Sequence, residues 1–587
     1  MAIAEISLTW DEIKLLLEKA DIVGVDTETN SQDIRDGRGY AIGISLAVER
    51  AGIYYTCYLP FRHETAEGFT YDIGENEDAT VLADVKDFLE SFTGWVVFHN
   101  AKFDLVSLRT LGIKYEGRFY CTLVISHLIN ENLYSYKLGD VAKEFVGPEE
   151  EKFDDKEFRA LVSAFGWAGV PIPRMKKYAA HDASLALAIM LSLMDQFKRE
   201  VPEAYWQHKQ DFIRVVIKME SRGVRIDTEL CDRMTAIGYM TMVSLTDTIG
   251  GNLGSPIFLK EILIDRLKLP IVRTSNKTGK ASFNKSAMEE YDVLLAESTD
   301  STARYVVEYR GWQKSVSSNY LPYVTLLSPD GRLRPNYKLH GTKTGRMSCE
   351  HPNLQQIPRK GVNPWNGKMK KAFIPDPGYT LIEFDYAQLE LRLGTAYAKE
   401  RRLIKAFEEG RDIFTEMAGS IGLPRQQTKT FVYSTQYGAG AGKIAAALGI
   451  TLNRAFKIRD NYKRAYPGFT KVSQVAAYNA KHTKRVKFWS GRYRHFSNFD
   501  STYKAYKAFN SIIQGGAADI VETVMVRLAN EIDCDDARML LQVHDSVLWE
   551  LKTDLVDQYI PKIKAIMEDV KPNFGVKFAV SVHEWGE

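Results

Sequence analysis

Residues 425–438 read Arg-Gln-Gln-Thr-Lys-Thr-Phe-Val-Tyr-Ser-Thr-Gln-Tyr-Gly. Arg425, Lys429, Tyr433 and Tyr437 recur at every fourth residue, and Gly438 follows. On an α-helix, four-residue steps trace one slowly drifting stripe. Two cations followed by two tyrosines make a poor core face. The stripe suits a long anion that continues into a ring system, as a nucleoside triphosphate does. Arg and Lys hold phosphates, and tyrosine rings meet sugar and base.

Upstream, Thr380 to Phe384 reads as a strand ending at Asp385, in Phe384-Asp385-Tyr386-Ala387-Gln388-Leu389-Glu390-Leu391-Arg392. Downstream, Ala537 to Leu551 alternates as a hairpin, with Gln542-Val543-His544-Asp545-Ser546 at its tip. The two aspartates are 160 positions apart (545 − 385), so only folding brings them together. Singly, each reads as an ordinary turn aspartate. Arg332 to Lys371 carries ten Lys/Arg and one acid, Glu350, and Arg454 to Lys507 carries fourteen and two acids. The second stretch interleaves aromatics such as Tyr462, Trp489 and Tyr506. Cations that neutralise phosphates and rings that stack on bases suit a nucleic-acid groove.

Together these segments resemble the family A DNA polymerases, from about residue 205 onward. Asp385–Arg392 resembles motif A, the Arg425–Gly438 stripe motif B, and Val543-His544-Asp545 motif C. Thr342–Ser348, Pro352–Pro358 and Asn510-x3-Gln514-Gly515-x-Ala517-Ala518-Asp519 complete the set. The resemblance implies a right hand: thumb about 210–320, palm about 321–400 and 500–587, and fingers about 401–499. It implies two Mg²⁺, with Mn²⁺ as a substitute, on Asp385, Asp545 and the Tyr386 carbonyl. Lys429 becomes the acid for the leaving group, and Arg425 the clamp on the terminal phosphate. Gln388, Tyr433 and Tyr437 join the dNTP contacts, and Glu390 excludes a ribose 2′-hydroxyl. Arg346, Asn510 and Gln514 read minor-groove acceptors, and His544 meets the primer end. Three positions depart from the family pattern. Ser546 stands where motif C usually has Glu, Phe414 where His is frequent, and Tyr433 where many relatives have Phe. Tyr433 is expected to make the enzyme accept dideoxynucleotides.

The first 200 residues read as α/β. Ile22–Val25, Ile42–Val48 and Trp95–Phe98 are strand patterns, and Lys102–Leu111 and Met175–Phe197 helical ones. Asp26 and Glu28 follow the first strand and share a face. Paired carboxylates of this kind suit Mg²⁺ or Mn²⁺. With His99-Asn100-x3-Asp104 and Tyr178-x3-Asp182 they resemble the three motifs of DEDDy-type 3′–5′ exonucleases. The resemblance implies an RNase H-like domain over 1–200 and a polymerase domain over 201–587. It also implies two further metals on Asp26, Glu28, Asp104 and Asp182, with Tyr178 orienting the attacking water. Cys121-Thr122 stands where relatives often carry Asp-Thr, a change expected to act on packing.

The remaining composition excludes other classes. Of 587 residues, 45% are hydrophobic and 26% charged, which is ordinary globular usage. The net charge of +2 rules out a uniformly basic coat. Five scattered cysteines without a CxxC argue against a zinc ribbon or disulfide framework. No apolar run is long enough to span a bilayer, and the amino terminus, read as an amphipathic helix, lacks a signal peptide's basic start. A cytoplasmic monomer, not secreted, is expected. Its partners are primer–template DNA, dNTPs and, at the exonuclease site, a single-stranded 3′ end. A helicase or single-strand-binding protein is the further partner such a layout allows. Residues 252–282, including Lys277 and Lys280, are expected to form an extended arm tracking the duplex. With Asp26 so near Met1, no 5′-nuclease domain is expected ahead of it, a layout like that of phage replicases. Two other readings compete. A single-subunit RNA polymerase is opposed by Glu390 and the exonuclease set. A lapsed polymerase acting as a nuclease or scaffold has only Ser546 in its favour.

Overall fold

In the computed structural model, residues 3–64, 78–148, 156–275, 278–296, 300–358 and 363–586 are described. Lys277 lies outside them. The amino-terminal sheet has six strands: β1 (Ala4–Ser7), β2 (Ile22–Thr29), β3 (Ala41–Arg50), β4 (Ile53–Pro60), β5 (Trp95–Phe98) and β6 (Arg118–Cys121). Their order is β1-β4-β3-β2-β5-β6. β2 pairs antiparallel with β3 and parallel with β5, so it lies inside the sheet, and six of its eight residues are buried. The helix Ile172–Glu200 crosses β2, β3 and β4. Gly24 sets how closely. A Cβ there would lie 2.5 Å from the Ala183 carbonyl oxygen, so only glycine lets this helix sit against β2.

The amino terminus corrects one expectation. Only Trp10–Leu17 is helical, and Ala4–Ser7 is an edge strand pairing parallel with β4. The Thr9–Glu12 capping box starts the helix at Trp10 and leaves the preceding residues extended. A second correction falls in the middle of the chain. The apolar periodicity of residues 203 to 240 predicts a helical stretch, but it is interrupted after Arg222 by the strand Val224–Ile226. Gly223, at φ 64°, turns the chain so that this strand pairs with Phe373–Ile374 and Arg332–Leu333. A third concerns residues 252–282, expected as an extended arm, whose first part, to Leu263, packs into a core instead. Leu253, Leu259 and Leu263 are fully buried with Met288, Tyr291 and Val306 in a separate small core. Each such burial contributes about 1.5–3 kcal/mol, which holds the segment compact.

The carboxy-terminal sheet is fully antiparallel, in the order Ala537–Val543, Ser546–Lys552, Tyr379–Tyr386, Val580–Glu584. The long helix Ala508–Glu531 carries Asn510 and Gln514 one turn apart. Between the sheet strands lie six helices from Arg401 to His482, Arg425–Gln436 among them. The helix Glu203–Arg222 clasps the two halves. Its Trp206 and Gln210 side chains bond the Phe119 backbone of β6, and its buried Lys209 pairs with Glu522 of the long helix. Among the described residues, no helix is long and apolar enough to cross a membrane.

Candidate active sites

Two carboxylate sites emerge, one in each half. In the first, ligand oxygens of Asp26, Glu28 and Asp182 lie within 4.8 Å of one another. Strand alternation brings the first two together, and the close helix packing over Gly24 brings Asp182 to them. Asp104 lines the same cavity of about 1260 Å³ but stands outside this trio. It accepts a hydrogen bond from Thr27 Oγ1 at 2.8 Å, and burial pushes its carboxyl up to about 7. Tyr178, one turn before Asp182, stacks on Phe158 with ring centroids 4.4 Å apart and leans on Trp167. Cys121 packs as expected: its buried thiol donates to the His99 carbonyl, and Thr122 Oγ1 bonds His99 Nδ1 at 2.8 Å. Three hard oxygen donors crowded this closely repel one another unless cations sit between them, which fits Mg²⁺ or Mn²⁺.

In the second site, the strand Tyr379–Tyr386, which carries Asp385, pairs with the strand that follows Asp545. Asp385 is directly opposite Ser546, and the Tyr386 amide donates to the Asp545 carbonyl at 3.3 Å. The Tyr386 hydroxyl is buried on the Met567 carbonyl, so its ring anchors the strand from below. Burial and the neighbouring Asp385 raise the Asp545 carboxyl, against the pull of Arg346. Strand pairing thus brings two carboxylates to neighbouring positions, and hard oxygen donors so placed suit the same ions.

Around the aspartates the site is closed by its own cations. Arg346 pairs with Glu390 and lies 3.5 Å from Asp545. Tyr437 donates its hydroxyl to the other Glu390 oxygen at 3.1 Å, joining its own helical segment to the helix Leu389–Ala398 that follows the Asp385 strand. Glu390 is buried, which raises its carboxyl. Arg425 grips Asp412 with two nitrogens, one at 3.1 Å, and this contact holds Asp412 at about 2. Asp412 also caps the helix Ile413–Ile421. This partner was invisible in sequence, because a capping aspartate shows no sign of a second use. Phe414 finds its role here: buried, it offers its ring to Lys429 Nζ at 5.9 Å and to Tyr433 at 5.8 Å. The stripe is open as expected. Arg425, Lys429 and Tyr437 are exposed, Tyr433 is half-buried, and Thr428, Phe431 and Val432 face the core.

Asn510 and Gln514 are half-buried on the long helix, and Gly515 brings that helix against the Thr344 carbonyl, where a Cβ would lie at 2.7 Å. The Asn510 and Gln388 side-chain oxygens are buried without hydrogen-bond partners among the described residues. His544 sits exposed at the hairpin tip in a left-handed conformation, φ 57°. Missed in sequence was the seam between the halves. His495 is held by Glu131 at 3.0 Å and Glu200 at 2.9 Å, which raises it to about 9. His127, buried on the Thr342 carbonyl, is pushed down to about 3.

An RNase H-like α/β sheet with an acidic trio, followed by an antiparallel sheet whose paired strands carry Asp385 and lead from Asp545, and by a helix with a cationic stripe, defines the class: a right-hand polymerase architecture joined to a nuclease architecture. Residues 226–587 match the model of DNA polymerase family A, and residues 1–198 match a 3′–5′ exonuclease model. The chain belongs to DNA polymerase family A. It is 28% identical to DNA polymerase I of Rhizobium leguminosarum over 93% of its length, and 27% identical to that of Pseudomonas aeruginosa over 94%. It spans 56% and 62% of those two relatives. A solved structure, the POL domain of Pol1 from M. smegmatis in complex with DNA primer-template and dNTP, shares the fold. The TM-score is 0.80 at 20% identity, covering 99% of both chains.

Proposed function

We propose that the chain is a DNA-templated DNA polymerase that extends a primer 3′ end with dNTPs, and that it proofreads at a separate 3′–5′ exonuclease site. The observation that carries the reading is the pairing of the Asp385 strand with the strand that follows Asp545, linked through Arg346, Glu390 and Tyr437 to the exposed stripe of Arg425, Lys429, Tyr433 and Tyr437. The M. smegmatis structure, which holds primer–template and dNTP, supports the choice of substrates. The boundary between the two activities falls near residue 200, with thumb about 210–320, palm about 321–400 and 500–587, and fingers about 401–499.

Asp385, Asp545 and the Tyr386 carbonyl would hold two Mg²⁺ or Mn²⁺. Asp26, Glu28 and Asp182, with Asp104 behind them, would hold the exonuclease pair. Such ions, when bound, acidify a hydroxyl or water and neutralise charge on the transferring phosphoryl group. The chain's own residues do the rest. Arg425 leaves Asp412 and clamps the terminal phosphate with its planar fork. Lys429, steadied by Phe414, meets the phosphates and gives the departing pyrophosphate a proton. Tyr433 and Tyr437 face sugar and base. Glu390, fixed by Arg346 and Tyr437, fills the space a ribose 2′-hydroxyl needs. Arg346, Asn510 and Gln514 meet minor-groove acceptors, which are alike in all correct pairs. Gln388 lines the nucleotide site, and His544 contacts the primer terminus. In the exonuclease site Tyr178, wedged by Phe158 and Trp167, orients the attacking water.

The test is a 5′-labelled primer–template with Mg²⁺, with and without dNTPs. Extension with dNTPs and 3′ shortening without them is the expected result. Shortening alone would leave a nuclease with a silent second site.

A further inference from the structure

We propose that Glu383 supplies the third carboxylate of the polymerase site, and that Ser546 is the hydroxyl that fastens it there. The inference rests on the polymerase reading above and concerns how the Asp545 turn is positioned. Ser546 stands where a glutamate is usual, so the loss of that acid needs an account. Asp385 pairs directly with Ser546, which puts their side chains on one face of the sheet. Glu383 is two residues before Asp385 on the same strand, so it shares that face and is the diagonal neighbour of Ser546.

The contact is present. Ser546 Oγ donates to Glu383 Oε1 at 3.0 Å and lies equally close to the Val543 carbonyl, on the far side of the turn that carries His544 and Asp545. The hydroxyl is therefore a rivet between a carboxylate and the hairpin tip. Glu383 Oε2 takes the Lys370 ammonium at 2.7 Å, and Lys370 in turn lies 4.0 Å from the Trp585 ring centroid. The Glu383 side chain is only 15% exposed, and Lys370 balances its charge there, so the carboxylate is held in place on both oxygens. The turn needs such an anchor. His544 adopts a left-handed conformation, which side chains with a Cβ hold only when their surroundings insist. The carboxylate has moved one strand over, from the residue after Asp545 to the strand that carries Asp385. Glu383 is a positioning residue: it acts on the site through Ser546.

The test measures primer extension across a Mg²⁺ titration, together with Mn²⁺ binding to the enzyme–DNA complex by electron paramagnetic resonance. Glu383→Gln is expected to raise the Mg²⁺ needed for half-maximal rate by about tenfold, as loss of outer-shell partners at metal sites does. Mn²⁺ binding should weaken in proportion. The KM for dNTP and trimming of a single-stranded oligonucleotide should not change. Glu383→Ser combined with Ser546→Glu should recover most of what Glu383→Ser alone loses. Lys370→Met, which keeps the carboxylate, should leave the Mg²⁺ requirement unchanged. A wild-type Mg²⁺ requirement in Glu383→Gln would overturn the proposal. So would a Lys370→Met variant that reproduces the loss, because Glu383 would then only balance Lys370. An exchange no better than Glu383→Ser, at a native melting temperature, would also overturn it. Failure of the polymerase reading looks different: the unmodified enzyme would trim but not extend.

Discussion

Asp26 and Glu28 are neighbours on one strand, whereas Asp385 and Asp545 lie 160 residues apart and meet only because two strands pair. The first site is a tight acidic trio, drawn together by the close helix contact over Gly24. The second is shielded by its own cations: Arg346 on Glu390 and Asp545, Lys370 on Glu383, and Arg425 on Asp412. Carboxylates crowded together attract cations. A site held by internal ion pairs must exchange partners when its anionic substrate arrives, and that exchange is a point at which selectivity can act.

The largest expected effect separates the two sites. Asp385→Asn should cut primer extension by on the order of a thousandfold, since a lost metal ligand removes several kcal/mol of transition-state stabilisation. It should leave 3′ trimming intact, and Asp182→Asn should do the reverse. Gel assays of both activities on one preparation check this, and loss of both in either variant would break the comparison.

Arg425→Ala should raise the KM for dNTP by about 10–100-fold, the worth of a charged, two-pronged hydrogen bond, with a smaller fall in kcat. Single-nucleotide incorporation kinetics measure it.

The seam between the sites offers a pH test. His495 is raised from an ordinary value near 6.5 to about 9 by Glu131 and Glu200. A raised histidine contributes stability that is full below about 6.5 and disappears as pH rises through about 9. His495→Gln should therefore lower stability by about 1–3 kcal/mol near pH 6. The gap should close by pH 10 in thermal melts. An equal gap at both values would show that charge does not hold the seam.

Tyr433→Phe should raise discrimination against dideoxynucleotides by about tenfold or less, the worth of one neutral hydroxyl contact. A chain-termination ladder shows it directly, and an unchanged ladder removes Tyr433 from sugar selection. The smallest effect sharpens the idea of partner exchange. Asp412→Asn keeps a good helix cap but releases Arg425, so the KM for dNTP should fall, by up to about fivefold for an exposed ion pair.

Much of this molecule was legible as sequence because its signals are local. Alternation put Asp26 beside Glu28, four-residue spacing put Arg425, Lys429, Tyr433 and Tyr437 on one stripe, and the hairpin around Asp545 announced its own tip. What failed was also local, but ambiguous. Ala4–Ser7 has no helix cap of its own and takes its shape from β4. Residues 252–282 carry turn-rich composition, yet three leucines find a core supplied by residues 283–306.

The sequence by itself determined the two families of motif, the order of the halves and the identities of the acids. Only the tertiary structure decided the partners: Asp412 on Arg425, Glu383 on Ser546, Glu131 and Glu200 on His495, and Asp104 apart from its trio. The physical reason is that periodicity reports which face of one element a residue occupies. Ion pairs and hydrogen bonds, by contrast, form over a few ångströms between elements whose approach depends on packing, and no single stretch of chain encodes that approach.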